Sequence, residues 1–235
     1  MLNQLSHIGI VAGTADGAAL CYRTLCYEAE RLTGRPASPE ITMHALPLEA
    51  YLASIDAEDW VGVAALMSRS ASVLAQSGAD LIICPNNTLH RAFEFVASSV
   101  PWLHIATAVG AEAIRRNFRR VGLLGTRVVM DGAVYHPFFE QHGIELVLPQ
   151  PRERMDLERI IRTELIRGAY SPQSRRDVRA MISTMATAGV EAIILGCTEL
   201  PLLLSDAPDG LPLLDSTRLL ATAALTTSPL VSTSY

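Results

Sequence analysis

His7-Ile8-Gly9-Ile10-Val11-Ala12-Gly13-Thr14 near the start of the chain and Arg120-Val121-Gly122-Leu123-Leu124-Gly125-Thr126 past its middle share one pattern. Each is a short apolar run with an internal glycine, closing on a glycine–threonine turn. Runs of this length bounded by turn residues read as buried strands. Working outward from the first, Ala18 to Leu32 has helical amphipathicity and stops at Gly34 and Pro36. Ile41 to Ala45 reads as a second strand and Trp60 to Ser77 as an Ala-rich helix capped by Gly78. Ala79 to Cys84 reads as a third strand, ending in Pro85-Asn86-Asn87-Thr88.

The order then restarts. After Gly125 the pattern predicts a helix through Tyr135 to His142, a strand over Glu145 to Pro149 and a helix over Arg175 to Ala188 ended by Gly189. A further strand over Glu191 to Leu195 leads into Gly196-Cys197-Thr198. Overlaying Gly9 on Gly122 places Tyr22 on Tyr135, 13 residues on in both copies, and brings Asn86 (77 on) close to Cys197 (75 on). Strands alternating with longer helices give parallel α/β layering, and the common spacing makes it a tandem duplication. Parallel sheets bind ligands beyond the carboxyl ends of their strands. The turns at Gly13-Thr14, Asn86-Asn87-Thr88, Gly125-Thr126 and Gly196-Cys197-Thr198 stand at such ends and are expected to converge on one cleft.

Composition removes whole classes of chemistry. Of 235 residues 19 are basic and 24 acidic, a net charge of −5, and every basic residue is arginine. Without lysine there is no Schiff base to pyridoxal phosphate, no lysine aldolase and no ordinary phosphate-binding loop of the nucleotide triphosphatases. A net-acidic chain with only short arginine clusters (115–120 and 175–179) lacks the basic stripe of a nucleic-acid binder. No apolar run reaches membrane-spanning length and no signal peptide precedes the first strand, so a cytoplasmic protein is expected. The four cysteines form no CxxC pair or zinc spacing, so no metal is expected. Cys21 and Cys26 read as core fillers on a helix.

Cys197 differs from these because it lies in a polar turn ahead of an expected helix start, where free N–H groups and the helix dipole lower a thiol's pKa. Together with Ile8-Gly-Ile-Val-Ala-Gly-Thr14, Asn87-Thr88-Leu89-His90, Gly122-Leu-Leu-Gly-Thr-Arg127 and Ile194-Leu-Gly-Cys-Thr-Glu-Leu-Pro201, it makes the chain resemble the aspartate/glutamate (Asp/Glu/hydantoin) racemase family. The resemblance implies two flavodoxin-like domains related by a pseudo-two-fold axis, over 1–100 plus 215–228 and over 101–214. The segment 226–235 is expected to pack weakly. It also implies a homodimer, no cofactor, and cysteines on opposite faces of a small carboxylate substrate's α-carbon. Cys197 matches the second of these thiols. Thr14, Asn87, Thr88, Thr126 and Thr198 match positions that hold substrate carboxylates, and Arg127 is placed to pair with a distal one. His90 and Glu199 fall into supporting positions, and His44 ends the second strand where it could line the site.

One departure stands out. The family's first-half motif reads Cys-Asn-Thr, whereas this chain reads Asn86-Asn87-Thr88. A carboxamide is no general base, and Cys84 lies two residues back in the strand, roughly 6–7 Å deeper. Three readings stay open: a racemase of altered reversibility, a one-thiol decarboxylase or isomerase of a small dicarboxylate, and a non-catalytic carboxylate binder.

Overall fold

The computed structural model describes residues 7–34, 36–204 and 210–227. It divides into two compact units, residues 1–105 with 217–235 and residues 106–216. Residues 228–235, the bulk of the segment expected to pack weakly, lie outside the described residues.

The first unit is built from β1 (Ile8–Ala12), α1 (Ala15–Thr33), β2 (Ile41–Ala45), α2 (Leu48–Asp56), α3 (Trp60–Gln76), β3 (Leu81–Ile83) and β4 (Trp102–Leu103). Its sheet is parallel, in the order β2-β1-β3-β4. A 3-10 helix, Thr88–Phe95, joins β3 to β4. The second unit contains α4 (Ile105–Arg115), β5 (Arg120–Gly125), α5 (Arg127–Asp131), α6 (His136–Gln141), β6 (Glu145–Val147), α7 (Pro151–Thr163), α8 (Pro172–Thr187), β7 (Ala192–Gly196), α9 (Leu200–Leu203) and β8 (Leu213–Asp215). Its parallel sheet runs β6-β5-β7-β8, the same topology again. The final helix α10 (Ser216–Thr226) returns the chain to the first unit. This is an α/β protein of two similar parallel-sheet halves.

The paired glycines explain why the motif recurs. A Cβ on Gly9 would sit 3.1 Å from the Leu74 side chain on α3, and one on Gly122 only 2.6 Å from Met185 Cε on α8. Each glycine therefore lets one helix lie close against its central strand. The core follows: β1, β5 and β7 are almost wholly buried, and Val11, Val63, Met67, Leu74 and Ile82 pack into one cluster of the first unit.

Some boundaries differ from expectation. The helix expected through Tyr135 to His142 is two short helices, α5 and α6, separated around Gly132 and restarted by Pro137. The residues expected to cross between halves at Leu213–Asp215 are the edge strand β8, and β4 follows Pro101 directly. The overlay of Tyr22 on Tyr135 holds in spacing but not in environment, since Tyr22 is 46% exposed and Tyr135 fully buried.

Candidate active site

In the second unit, β7 delivers Cys197 at the end of a fully buried strand. The thiol is 6% exposed. Its Sγ donates to Glu199 Oε2 at 3.1 Å, and Thr198 Oγ1 donates to the same oxygen at 2.7 Å. Glu199 is 2% exposed, and its other oxygen, Oε1, is buried with no hydrogen-bond partner. The turn closes through Leu200 N donating to the Cys197 carbonyl, after which α9 runs for only four residues. This corrects the expectation that a helix start would ease ionisation. Burial, and then the charge and hydrogen bond of Glu199, push the Cys197 thiol well above its ordinary range, while the backbone N–H groups of Glu199 and Leu200 oppose this only weakly. The resting side chain is a thiol pointed at a carboxylate.

Two neighbouring strands hold this turn. Gly125 and Gly196 are register partners at the ends of β5 and β7. A Cβ on Gly125 would come within 2.7 Å of the Gly196 carbonyl oxygen, and one on Gly196 within 2.9 Å of the Leu124 carbonyl oxygen. Glycine is thus required at both positions by backbone approach. On the other side, Ser216 Oγ donates to the Leu195 carbonyl at 2.7 Å, two residues before the thiol. Sequence reading missed Ser216, and nothing in the sequence links two residues 21 apart. Thr126 caps α5, its Oγ1 accepting from Val129 N at 3.4 Å. Arg127 places its guanidinium on Asp131, four residues on along the helix, and is 61% exposed. Asp131 also pairs with Arg154 of α7.

In the first unit, Asn86 follows β3 through buried Cys84 and Pro85. Its Oδ1 accepts from Leu89 N at 3.3 Å, the short-range bond by which an Asn side chain opens a helical turn. Asn87 is buried and Thr88 half-buried at the start of the 3-10 helix. Thr14 occupies the N-cap position of α1, where its carbonyl, and not its side chain, bonds the first turn.

His90 is 3% exposed, so the expectation that it faces a cleft is corrected. Its Nε2 lies 2.9 Å from the Cys84 carbonyl, which can only accept, so Nε2 carries the proton. Nδ1 is buried with no hydrogen-bond partner. His104 stands edge-on at 4.6 Å between ring centroids, and burial drives both rings toward the neutral form. Cys84 is fully buried, its thiol pushed up to about 12 by burial. His44, half-buried, lies with Nδ1 3.0 Å from Ser70 Oγ.

Known proteins place this geometry. The chain is 27% identical over 159 residues to the broad specificity amino-acid racemase RacX of Bacillus subtilis, a match covering 66% of this chain and 67% of RacX. Among solved structures, a candidate Asp/Glu racemase from Yersinia pestis superposes with a TM-score of 0.83 at 31% identity, over 94% of this chain and 98% of that one. An aspartate racemase homologue from Pyrococcus horikoshii gives 0.77 at 30% identity, with the same coverage of 94% and 98%. Among the described residues no helix is long and apolar enough to cross a membrane, and no group of His, Cys, Asp and Glu could hold a metal ion. The Asp/Glu/Hydantoin racemase description matches residues 13–224, spanning both sheets, and the chain belongs to that family.

Proposed function

We propose that the protein is an amino-acid racemase that moves the α-proton of a small acidic amino acid without a bound cofactor. The observation that carries this reading is Cys197, a thiol at the end of β7 bonded to a buried carboxylate. Thiolate attack on the α-proton and thiol return of a proton are the two halves of the reaction. Thr198, Thr126, Asn87, Thr88 and Thr14 are the proposed donors to the substrate carboxylates, with Arg127 for the distal one. Asn86 is proposed to orient the substrate or a water molecule where the family has its other thiol. The similarity to RacX and to an aspartate racemase homologue supports an amino-acid substrate. A cytoplasmic homodimer is proposed on the family's precedent.

A specific observation favours a second reading. Because Cys197 rests protonated and Asn86 cannot act as a base, the site suits one-sided proton donation to a carbanion, as in loss of carbon dioxide from a substituted malonate. The deciding experiment is proton NMR in deuterated water with L- and D-aspartate and L- and D-glutamate in turn. α-Proton exchange followed by appearance of the other enantiomer supports the racemase. Carbon dioxide release from a disubstituted malonate, without exchange from any amino acid, overturns it in favour of the decarboxylase.

A further inference from the structure

We propose that Glu199 is the proton partner of Cys197, a positioning residue that accepts the thiol's proton when the sulfur becomes a base and returns it when the sulfur has acted as an acid. The inference rests on the reading of Cys197 as the reacting thiol and deepens it. Three observations carry it. Sγ donates directly to Oε2 at 3.1 Å, so the proton's path is a single hydrogen bond. Thr198 Oγ1 donates to the same oxygen at 2.7 Å, which fixes the carboxylate toward the sulfur. Oε1 is buried without a partner on a side chain that is 2% exposed, an expensive arrangement for a carboxylate that only supports packing. A carboxyl group that takes up a proton for part of the cycle relieves that cost.

The step balances without any outside reagent. The Sγ–H bond of Cys197 breaks, its electron pair stays on sulfur, and an O–H bond forms on Glu199, leaving thiolate and carboxylic acid. The thiolate then takes the substrate α-proton: the Cα–H bond breaks, its electrons remain on the substrate carbanion, and a new S–H bond forms. In the reverse sense the thiol gives its proton to the carbanion and recovers one from the Glu199 carboxyl group. The pair thus conserves charge inside a buried pocket, where an isolated thiolate beside a carboxylate would be strongly disfavoured.

The test uses Glu199→Gln, which keeps the shape and removes the charge and the proton acceptor. Two readouts move in opposite directions under the proposal. Iodoacetamide labelling of Cys197 at neutral pH, read on its peptide by mass spectrometry, should be roughly tenfold faster, because the repelling charge is gone. α-Proton exchange from aspartate or glutamate should fall by about 10²-fold or more, because the sulfur has lost its proton partner. Exchange that holds steady or rises with the labelling rate would overturn the proposal, since Glu199 would then merely suppress the thiolate. Labelling that is unchanged or slower would also overturn it. Glu199→Asp serves as a second variant should the glutamine form fail to fold, and there the expected result is partial exchange with labelling close to wild type. Failure of the racemase reading looks different. Wild type would then exchange no α-proton from any of the four amino acids, and the labelling comparison alone would decide the pair, faster in Glu199→Gln upholding it and equal overturning it.

Discussion

The side chain of Asn86 occupies the space above Gly13: a Cβ at position 13 would stand 2.6 Å from Asn86 Nδ2 and 2.8 Å from its Cβ. The turn after β1 and the turn after β3 are therefore fitted to each other through one missing methyl group. Gly13→Ala should push Asn86 away from Leu89 N and cost about 1–3 kcal/mol, the usual range for overpacking. Asn86→Ala in the same background should recover most of that loss. Urea unfolding of the two single variants and the double variant measures the coupling, and simple additivity of the two costs would refute it.

Acid should destabilise the first unit in a defined window. His104 is pushed down to about 4 by burial, and His90 is driven well below its ordinary 6.5 by burial and then by His104. Below about pH 6.5 the unfolded chain binds protons that the folded rings refuse, so stability falls as pH drops and the loss from His104 is complete near its folded value. For His104 alone the gap corresponds to at most about 3 kcal/mol. The carboxylates of Glu112, Glu164 and Glu191 are held below 4.5, so their losses come at lower pH. Urea unfolding at about pH 7, 5.5 and 4.5 should show the decline in wild type, with a shallower slope in His104→Gln. Parallel slopes in both would contradict the assignment.

The cysteines should separate by accessibility and ionisation. Cys26 is half-buried on the surface of α1, Cys197 is nearly buried, and Cys21 and Cys84 are fully buried. Labelling with a maleimide near pH 7.5 should modify Cys26 first and Cys197 slowly, with Cys21 and Cys84 reacting only in denaturant. Early labelling of Cys84 would mean that the strand end at Asn86 opens in the native state.

Arg127 and Asp131 should differ in what they contribute. Arg127 is 61% exposed and its ion pair is screened by solvent, so Arg127→Ala should change stability by less than about 0.5 kcal/mol. Asp131 ties Arg127 and the less exposed Arg154 together, and Arg154 Nε is buried with no hydrogen-bond partner. Asp131→Ala should therefore cost more, about 1–2 kcal/mol. Thermal melts of the two variants side by side are sufficient, and equal melting temperatures would count against the difference.

Much of the architecture could be read in advance because glycines mark it. Gly9, Gly13, Gly122, Gly125 and Gly196 punctuate apolar runs, and each now has a steric reason in the fold. The two-residue strand β4 gave no such signal, being shorter than any periodic pattern. The strongly amphipathic α7 went unassigned although Gln150 and Glu153 form a capping box at its start. Within the site, residue types and positions were legible, whereas burial was not. The same Cys197-Thr198-Glu199 turn reads as thiolate-favouring from its place before a helix and as thiol-favouring once the helix is four residues long and the carboxylate is buried. His90 illustrates the same limit, because its ring is claimed by a carbonyl six residues back.

The level ending of β5 and β7 at Gly125 and Gly196 has a consequence for how this scaffold could be rebuilt. Strand side chains alternate between faces, so one residue inserted within β7 would rotate every later position and turn the cysteine to the opposite side of the sheet. Length can be added safely only where the backbone is left-handed and open, as at Gly143 and Gly168, where a Cβ would meet nothing within 4 Å. Loop grafts or fused domains belong at those two bends, and the stretch from Ala192 to Glu199 has to be carried over as a unit of fixed length.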